Sequence, residues 1–184
     1  MKANMKRTMR ILTSFFTIGF VLLLTLNHSF PHPFITDAAI TFGTTAYHFI
    51  MRLAVGGIVN GIYKNQFDYS TPWFQTKPCE RAIYEKWNVK AWKEKLPSYD
   101  PSLFSLKEHS FHEIAQAMCQ AEIVHELIIV LSFVPLLFSI WLGTFPVFLI
   151  TSVAAAVFDS LFVIVQRYNR ERIVRLAKRT KSKK

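Results

Sequence analysis

The chain has 184 residues, 51% of them hydrophobic and only 18% charged, yet Lys and Arg outnumber Asp and Glu by 22 to 12, for a net charge of +10. Such a chain is too apolar for intrinsic disorder, and its charge must be segregated from uncharged blocks rather than spread over a soluble nucleic-acid module with a modest core. Two Cys build no disulfide framework, and six Gly with eight Pro exclude collagen-like and low-complexity classes.

From Ile11 to Thr36 there is no charged residue, and Ile11–Leu26 is the densest apolar part, led by Lys2, Lys6, Arg7 and Arg10. A basic start before an apolar run also describes a signal peptide. Leu26-Asn27-His28-Ser29-Phe30-Pro31 lacks the small residues of a cleavage site, so an uncleaved membrane helix is expected. A second stretch, Ala38–Tyr63, carries one charge, Arg52, and is richer in Gly and Thr. Its Gly57 and Gly61 form a small-xxx-small pair of the kind that lets helices approach closely in lipid; a buried helix of a soluble protein is the alternative.

Residues 63–121 form the substantial polar block. Glu80–Leu96 reads as a helix with Ile83, Trp87 and Lys90 on one side. Trp73, Trp87, Trp92, Tyr84 and Tyr99 are interleaved with Lys, a mixture suited to the membrane interface, where aromatic rings sit at headgroup level and Lys stems snorkel. The block is nearly neutral, with Lys64, Lys77, Arg81, Lys86, Lys90, Lys93, Lys95 and Lys107 against Asp68, Glu80, Glu85, Glu94, Asp100, Glu108 and Glu113. Phosphate-backbone binding needs a cationic excess, so no nucleic-acid partner is expected. Pro97 and Pro101 end the helix, and Ser105 or Ser110 can cap the next one.

Between Glu126 and Asp159 lie 32 residues without a charge. One spanning helix needs about 20 residues, so this run suits two. Gly143-Thr144-Phe145-Pro146 supplies the break, giving a hairpin of Glu122–Leu142 and Phe145–Gln166. Basic residues cluster in the N-terminal arm, in 63–121 and from Arg167 onward, and are absent from 27–37 and 143–146. Four spans with both termini inside put every basic segment in the cytoplasm. The expected protein is therefore an all-α integral protein of the cell membrane, with about four transmembrane helices and a cytoplasmic amphipathic helical segment. Its parts are two N-terminal membrane helices (1–62), the aromatic and basic segment (63–121), the hairpin (122–166) and a basic cytoplasmic tail (167–184).

Ionisable groups at membrane depth are costly and mark candidate sites. His48 and Arg52, four apart, share one face of the second span, and Asp159 sits in the fourth about two turns from Gln166. An Arg52–Asp159 ion pair would hold the bundle together. Glu122, His125 and Glu126 open the third span. Glu122 can orient the imidazole three residues on and raise its basicity, as a general base requires; the alternative is a helix start with acids near its positive end. His109-x-x-His112-Glu113 and Glu122-x-x-His125-Glu126 invite comparison with di-iron bundles, which need Glu-x-x-His on two helices plus two lone Glu. Only one such motif exists here, so neither a metal nor a cofactor is expected. Cys119 lies six residues from His125, on a neighbouring helical face, and is the weaker nucleophile candidate. There is no G-x-S-x-G and no Gly-rich phosphate loop.

Past the fourth span, Gln166-Arg167-Tyr168-Asn169-Arg170-Glu171-Arg172 interleaves basic and amide side chains. As a polybasic anchor each charge near anionic lipid is worth about 1 kcal/mol. Gln166, Arg167, Asn169 and Arg170 also offer forked donors for phosphate or carboxylate. The run from Arg175 through Lys178, Arg179, Lys181, Lys183 and Lys184 reads as a solvated tail.

Three motifs occur in order: Trp87-Asn88-Val89-Lys90-Ala91-Trp92-Lys93, Ala121-Glu122-Ile123-Val124-His125 and Val165-Gln166-Arg167-Tyr168-Asn169-Arg170-Glu171-Arg172. Together they resemble the glycosyl-4,4'-diaponeurosporenoate acyltransferase family, small membrane proteins of Gram-positive bacteria, over Trp73–Leu176. The family's usual Asn-Arg-Pro-Arg stands here as Asn169-Arg170-Glu171-Arg172, and the second span, 38–63, is more hydrophobic than the resemblance leads one to expect of pigment-making members. The resemblance implies the last step of a yellow carotenoid pathway, in which a branched fatty acyl chain is esterified onto the C6 hydroxyl of the sugar of a glycosyl carotenoid. The partners implied are a fatty acyl donor (acyl-CoA, acyl carrier protein or phospholipid), a lipid-embedded glycosylated acceptor and the bilayer. On chemistry alone, His125 and Glu122 are the expected catalytic pair. Gln166, Arg167, Asn169 and Arg170 are the expected substrate-binding groups, with Trp92, Lys90, His48 and Arg52. A non-enzymatic membrane adaptor or assembly factor acting through the basic tail is the second class.

Overall fold

The computed structural model describes residues 5–181; Lys2, Lys183 and Lys184 lie outside them. The regular elements of the described residues are all helices, with no strand. In order they form α1 (Met5–Ser29), α2 (Pro33–Tyr63), a 3-10 turn (Pro72–Phe74), α3 (Pro78–Lys86), α4 (Val89–Trp92), 3-10 turns at Lys93–Lys95 and Pro101–Phe104, α5 (Phe111–Leu131), a 3-10 turn (Val134–Phe138), α6 (Ser139–Leu142) and α7 (Phe145–Lys181). Met5–Ser29, Phe111–Leu142 and Phe145–Arg179 are long and apolar enough to cross a membrane. The all-α membrane class is therefore as expected. α2 does not join these three: at 31 residues it is long enough, but its threonines, glycines, His48 and Arg52 dilute its hydropathy.

The contacts divide the chain into two units: the chain up to Val55 with Ile128–Phe158, and Gly56–Leu127 with everything from Asp159 onward. In the first unit, α1 and α2 interlock through phenylalanines and glycines. Phe16 stacks on Phe49 with ring centroids 5.7 Å apart and meets Phe42 edge-on at 5.4 Å. A Cβ on Gly19 would come within 2.6 Å of the Phe42 ring, and one on Gly43 within 2.7 Å of the Phe20 ring. Each glycine thus seats a phenylalanine of the other helix. The close approach expected at Gly57 and Gly61 is not found: a Cβ at either meets nothing within 4 Å. Thr13, Thr41, Thr44 and Thr45 return their hydroxyls to carbonyls one turn back, which satisfies them without water. The Tyr47 hydroxyl donates to the Leu131 carbonyl at 2.9 Å.

Three expected helix limits are corrected. The Glu80–Leu96 helix is broken at Asn88, which adopts φ 46°; asparagine tolerates this left-handed conformation better than most residues. α3 ends at Lys86 and α4 starts at Val89, on either side of this residue. α5 begins well ahead of Glu122, at Phe111. Of the two candidate caps, Ser110 serves: Glu113 Oε2 accepts from the Ser110 backbone N–H at 2.8 Å, and Ser110 Oγ accepts from the Glu113 backbone N–H at 3.3 Å, the reciprocal pair of a capping box. The same span loses α-geometry after Leu131, where Pro135 removes a donor and crowds the carbonyl one turn back. The break at Gly143 stands as expected, with Gly143 at φ 67° and Thr144 at φ 49°. The basic residues from Arg167 to Lys181 continue α7 without interruption.

The second unit packs α3, α4 and α7 around Tyr84, Val89 and Val165, with Trp92, Leu96, Ile164 and Tyr168 against them. Burial, with the Glu80 carboxylate adding to it, pushes the Tyr84 phenol up to about 12, so the ring serves packing as a neutral group.

Candidate active site

The site is assembled by two helix faces of the second unit. α5 presents Glu122, His125 and Glu126, at spacings of three and four that share one helical face. α7 presents Asp159, Arg167 and Arg170.

Glu122 is fully buried. Arg167 Nε donates to its Oε1 at 2.7 Å, and Arg170 Nη1 donates to Oε2. Arg167 continues outward: Nη1 donates to Glu80 Oε1 at 2.6 Å, and Nη2 to the Trp73 carbonyl at 2.9 Å, with Glu126 Oε1 at 3.8 Å. Arg170 Nη2 donates to the Phe74 carbonyl at 2.6 Å, its guanidinium 5.1 Å from the Phe74 ring centroid. Two guanidiniums neutralise one buried carboxylate and clamp the Pro72–Phe74 turn and α3 onto α5. Planar, permanently charged forks suit this task, and a buried carboxylate without them would be expensive.

His125 has a different partner from the expected Glu122. Its Nδ1 lies 2.8 Å from Asp159 Oδ1, and the Phe162 ring stacks on the imidazole at 4.6 Å and 10°. The Asp159 side chain is 2% exposed and that of His125 21%. In the tautomer whose Nδ1–H donates to Asp159, the Nε2 lone pair lies on the far side of the ring. The carboxylate that orients His125 is thus Asp159, because both oxygens of Glu122 are taken by arginines, which are stronger partners.

The other expected binding residues have the following surroundings. Asn169 accepts from Lys93 Nζ at 2.7 Å; that amine is held below the ordinary lysine range, first by burial and then by the nearby Arg172. Trp92 packs on the Tyr84 cluster, and its indole donates to the Trp87 carbonyl at 3.0 Å. Lys90 is exposed, and Gln166 is partly buried. His48 and Arg52 belong to the first unit, where Arg52 Nη1 donates to the His48 carbonyl at 3.1 Å. Cys119 is fully buried. Among the described residues, no three His, Cys, Asp or Glu are grouped to hold a metal.

An open cleft of about 690 Å³ lies beside the arginine clamp. Trp73, Ile83, Trp87, Val163 and Ile164 form its apolar walls, and Lys77, Glu80, Glu126 and Arg167 line it with charge. A smaller hollow of about 290 Å³ is lined by Arg81, Arg170, Glu171, Arg175 and Lys178. Sequence reasoning missed Glu80 and Trp73 as partners of Arg167. The only signal was their place in the same polar block, which does not reveal what they face.

Fold and site together define a small helical membrane protein with an aspartate-held histidine and an aromatic cleft in one unit. Residues 70–179 match the family model described as glycosyl-4,4'-diaponeurosporenoate acyltransferase, and the chain belongs to that family of carotenoid-biosynthesis acyltransferases. The match covers the cleft, the arginine clamp and the His125–Asp159 pair. No curated protein and no solved structure matches the chain.

Proposed function

We propose that the protein esterifies a fatty acyl chain onto a sugar hydroxyl of a glycosyl carotenoid or similar glycolipid, with His125 as the base. The observation that supports this is the 2.8 Å contact of His125 Nδ1 with Asp159 Oδ1. A carboxylate on one ring nitrogen prepares the other to take a proton. As the sugar oxygen attacks the acyl carbonyl, its proton passes to Nε2. When the tetrahedral adduct collapses, the acyl–carrier bond breaks and the leaving thiolate or alkoxide takes that proton back. The donor is an acyl thioester or ester carried by coenzyme A, acyl carrier protein or phospholipid.

Within this reading Asp159 is a positioning residue, and Glu122, Arg167 and Arg170 hold the site together. The hydrogen bonds of both guanidiniums run to Glu80, Glu122, Trp73 and Phe74 rather than toward a donor. We further assign the protein to the cell membrane with both termini cytoplasmic, because that keeps every basic segment inside.

The test is ester formation from labelled acyl donors and glycosylated acceptor in membranes, read by mass spectrometry. His125→Ala is expected to lower it by about 10²–10⁴-fold, the usual contribution of a general base, and Asp159→Asn by less, with normal amounts of membrane-inserted protein. Full activity in His125→Ala would discard the assignment.

A further inference from the structure

We propose that the 690 Å³ cleft seats the uncharged sugar head of the acceptor, stacked on Trp87 and Trp73 and hydrogen-bonded to Glu126. The proposal rests on the acyltransferase reading, which requires a sugar to be held but says nothing of where.

Two features select the occupant. Both indoles remain open beside the cleft, Trp73 at 59% and Trp87 at 53% exposure. Flat aromatic faces suit the C–H faces of a sugar ring, while its hydroxyls need acceptors that are held but not saturated. Glu126 meets that need: Oε2 accepts from the Trp73 indole at 3.1 Å, and among the described residues Oε1 has only the longer 3.8 Å contact with Arg167. A carboxylate offers about four acceptor positions, so at least two remain for hydroxyls.

Charge excludes the competing heads. Lys77 and Arg167 balance Glu80 and Glu126, and the Arg167 hydrogen bonds already run to protein acceptors. A phosphate would find no excess of positive charge there. The location suits a lipid as well. Trp73 and Trp87 come from the polar segment and Val163 and Ile164 from a membrane-length helix. A chain in the bilayer can therefore lie along the apolar wall while its head reaches the indoles.

The protein in nanodiscs is titrated with hexyl β-glucoside, hexyl phosphate and hexylphosphocholine, each below its micelle concentration, with binding read by tryptophan fluorescence and by calorimetry. Preference for the glucoside is expected, weakened at least tenfold by Trp87→Ala or Glu126→Gln and largely restored by Trp87→Phe, which keeps a stacking ring. His125→Ala is expected to bind the glucoside normally. Equal or tighter binding of the phosphate or the phosphocholine overturns the proposal, as does glucoside binding indifferent to Trp87→Ala and Glu126→Gln. Because His125→Ala is scored by catalysis and Trp87→Ala by binding, failure of the cleft and failure of the acyltransferase reading give different results.

Discussion

Glu122 shows how one residue can be read correctly for position and wrongly for partner. The i, i+3 spacing of Glu122 and His125 does put them on one face of α5, but the buried carboxylate is claimed by Arg167 and Arg170 and the imidazole by Asp159. The spacing reports a face; it does not report which groups, 34 to 48 residues further along the chain, will be packed against it. A stability consequence follows. Glu122→Ala would strand the buried Arg170 guanidinium without its counter-charge, at a cost of about 3–5 kcal/mol. Glu122→Gln keeps the shape and should cost less. Chemical denaturation in detergent measures the order, and an unaltered Glu122→Ala protein would contradict the clamp.

At the scale of elements, local signals succeeded where the cause was local. The Ser110–Glu113 box and the Gly143–Thr144 break depend on residues within a turn of one another, and both are where the sequence puts them. The break at Asn88 was not legible, since an apolar face running through Ile83 and Trp87 fits a continuous helix. Burial of Val89 and Trp92 against α7 favours the turn instead. The glycines make the same point: a small-xxx-small pattern permits close packing, and only a partner helix uses it. Gly19→Ala and Gly43→Ala should therefore destabilise, by about 1–3 kcal/mol through overpacking against Phe42 and Phe20. Gly57→Ala and Gly61→Ala meet open space and should be neutral or stabilising by up to about 1 kcal/mol, because alanine is the better helix former. Unfolding of the four variants in one detergent checks the ranking; the reverse order would remove the interlock.

For the whole molecule, the crossing of α2 separates two topologies. Hydropathy alone selects three helices, whereas the distribution of basic residues calls for four spans. The two counts predict different topologies. With four, the connections at 27–37 and 143–146 lie on the same, outer side. With three, they lie on opposite sides, and the basic 63–121 segment and the tail would face outward. Single cysteines in place of His32 and Phe145, in a Cys79→Ser, Cys119→Ala background, should both react with an impermeant maleimide from outside. In a Cys119→Ala protein that keeps it, the native Cys79, exposed in the 63–121 segment, should react only after permeabilisation. Labelling of the two introduced cysteines from opposite sides would rule out four spans.

From the sequence alone come the all-α membrane class, the family, the helix break at Gly143 and the segregation of charge from apolar runs. Hydropathy, periodicity and capping are properties of neighbours in the chain, so they survive without knowledge of the fold. The tertiary structure decided what depends on distant residues meeting: Asp159 on His125, two arginines on Glu122, and two tryptophans opening a cleft beside them. Burial makes an unpaired charge so costly that packing, rather than proximity along the chain, chooses each partner.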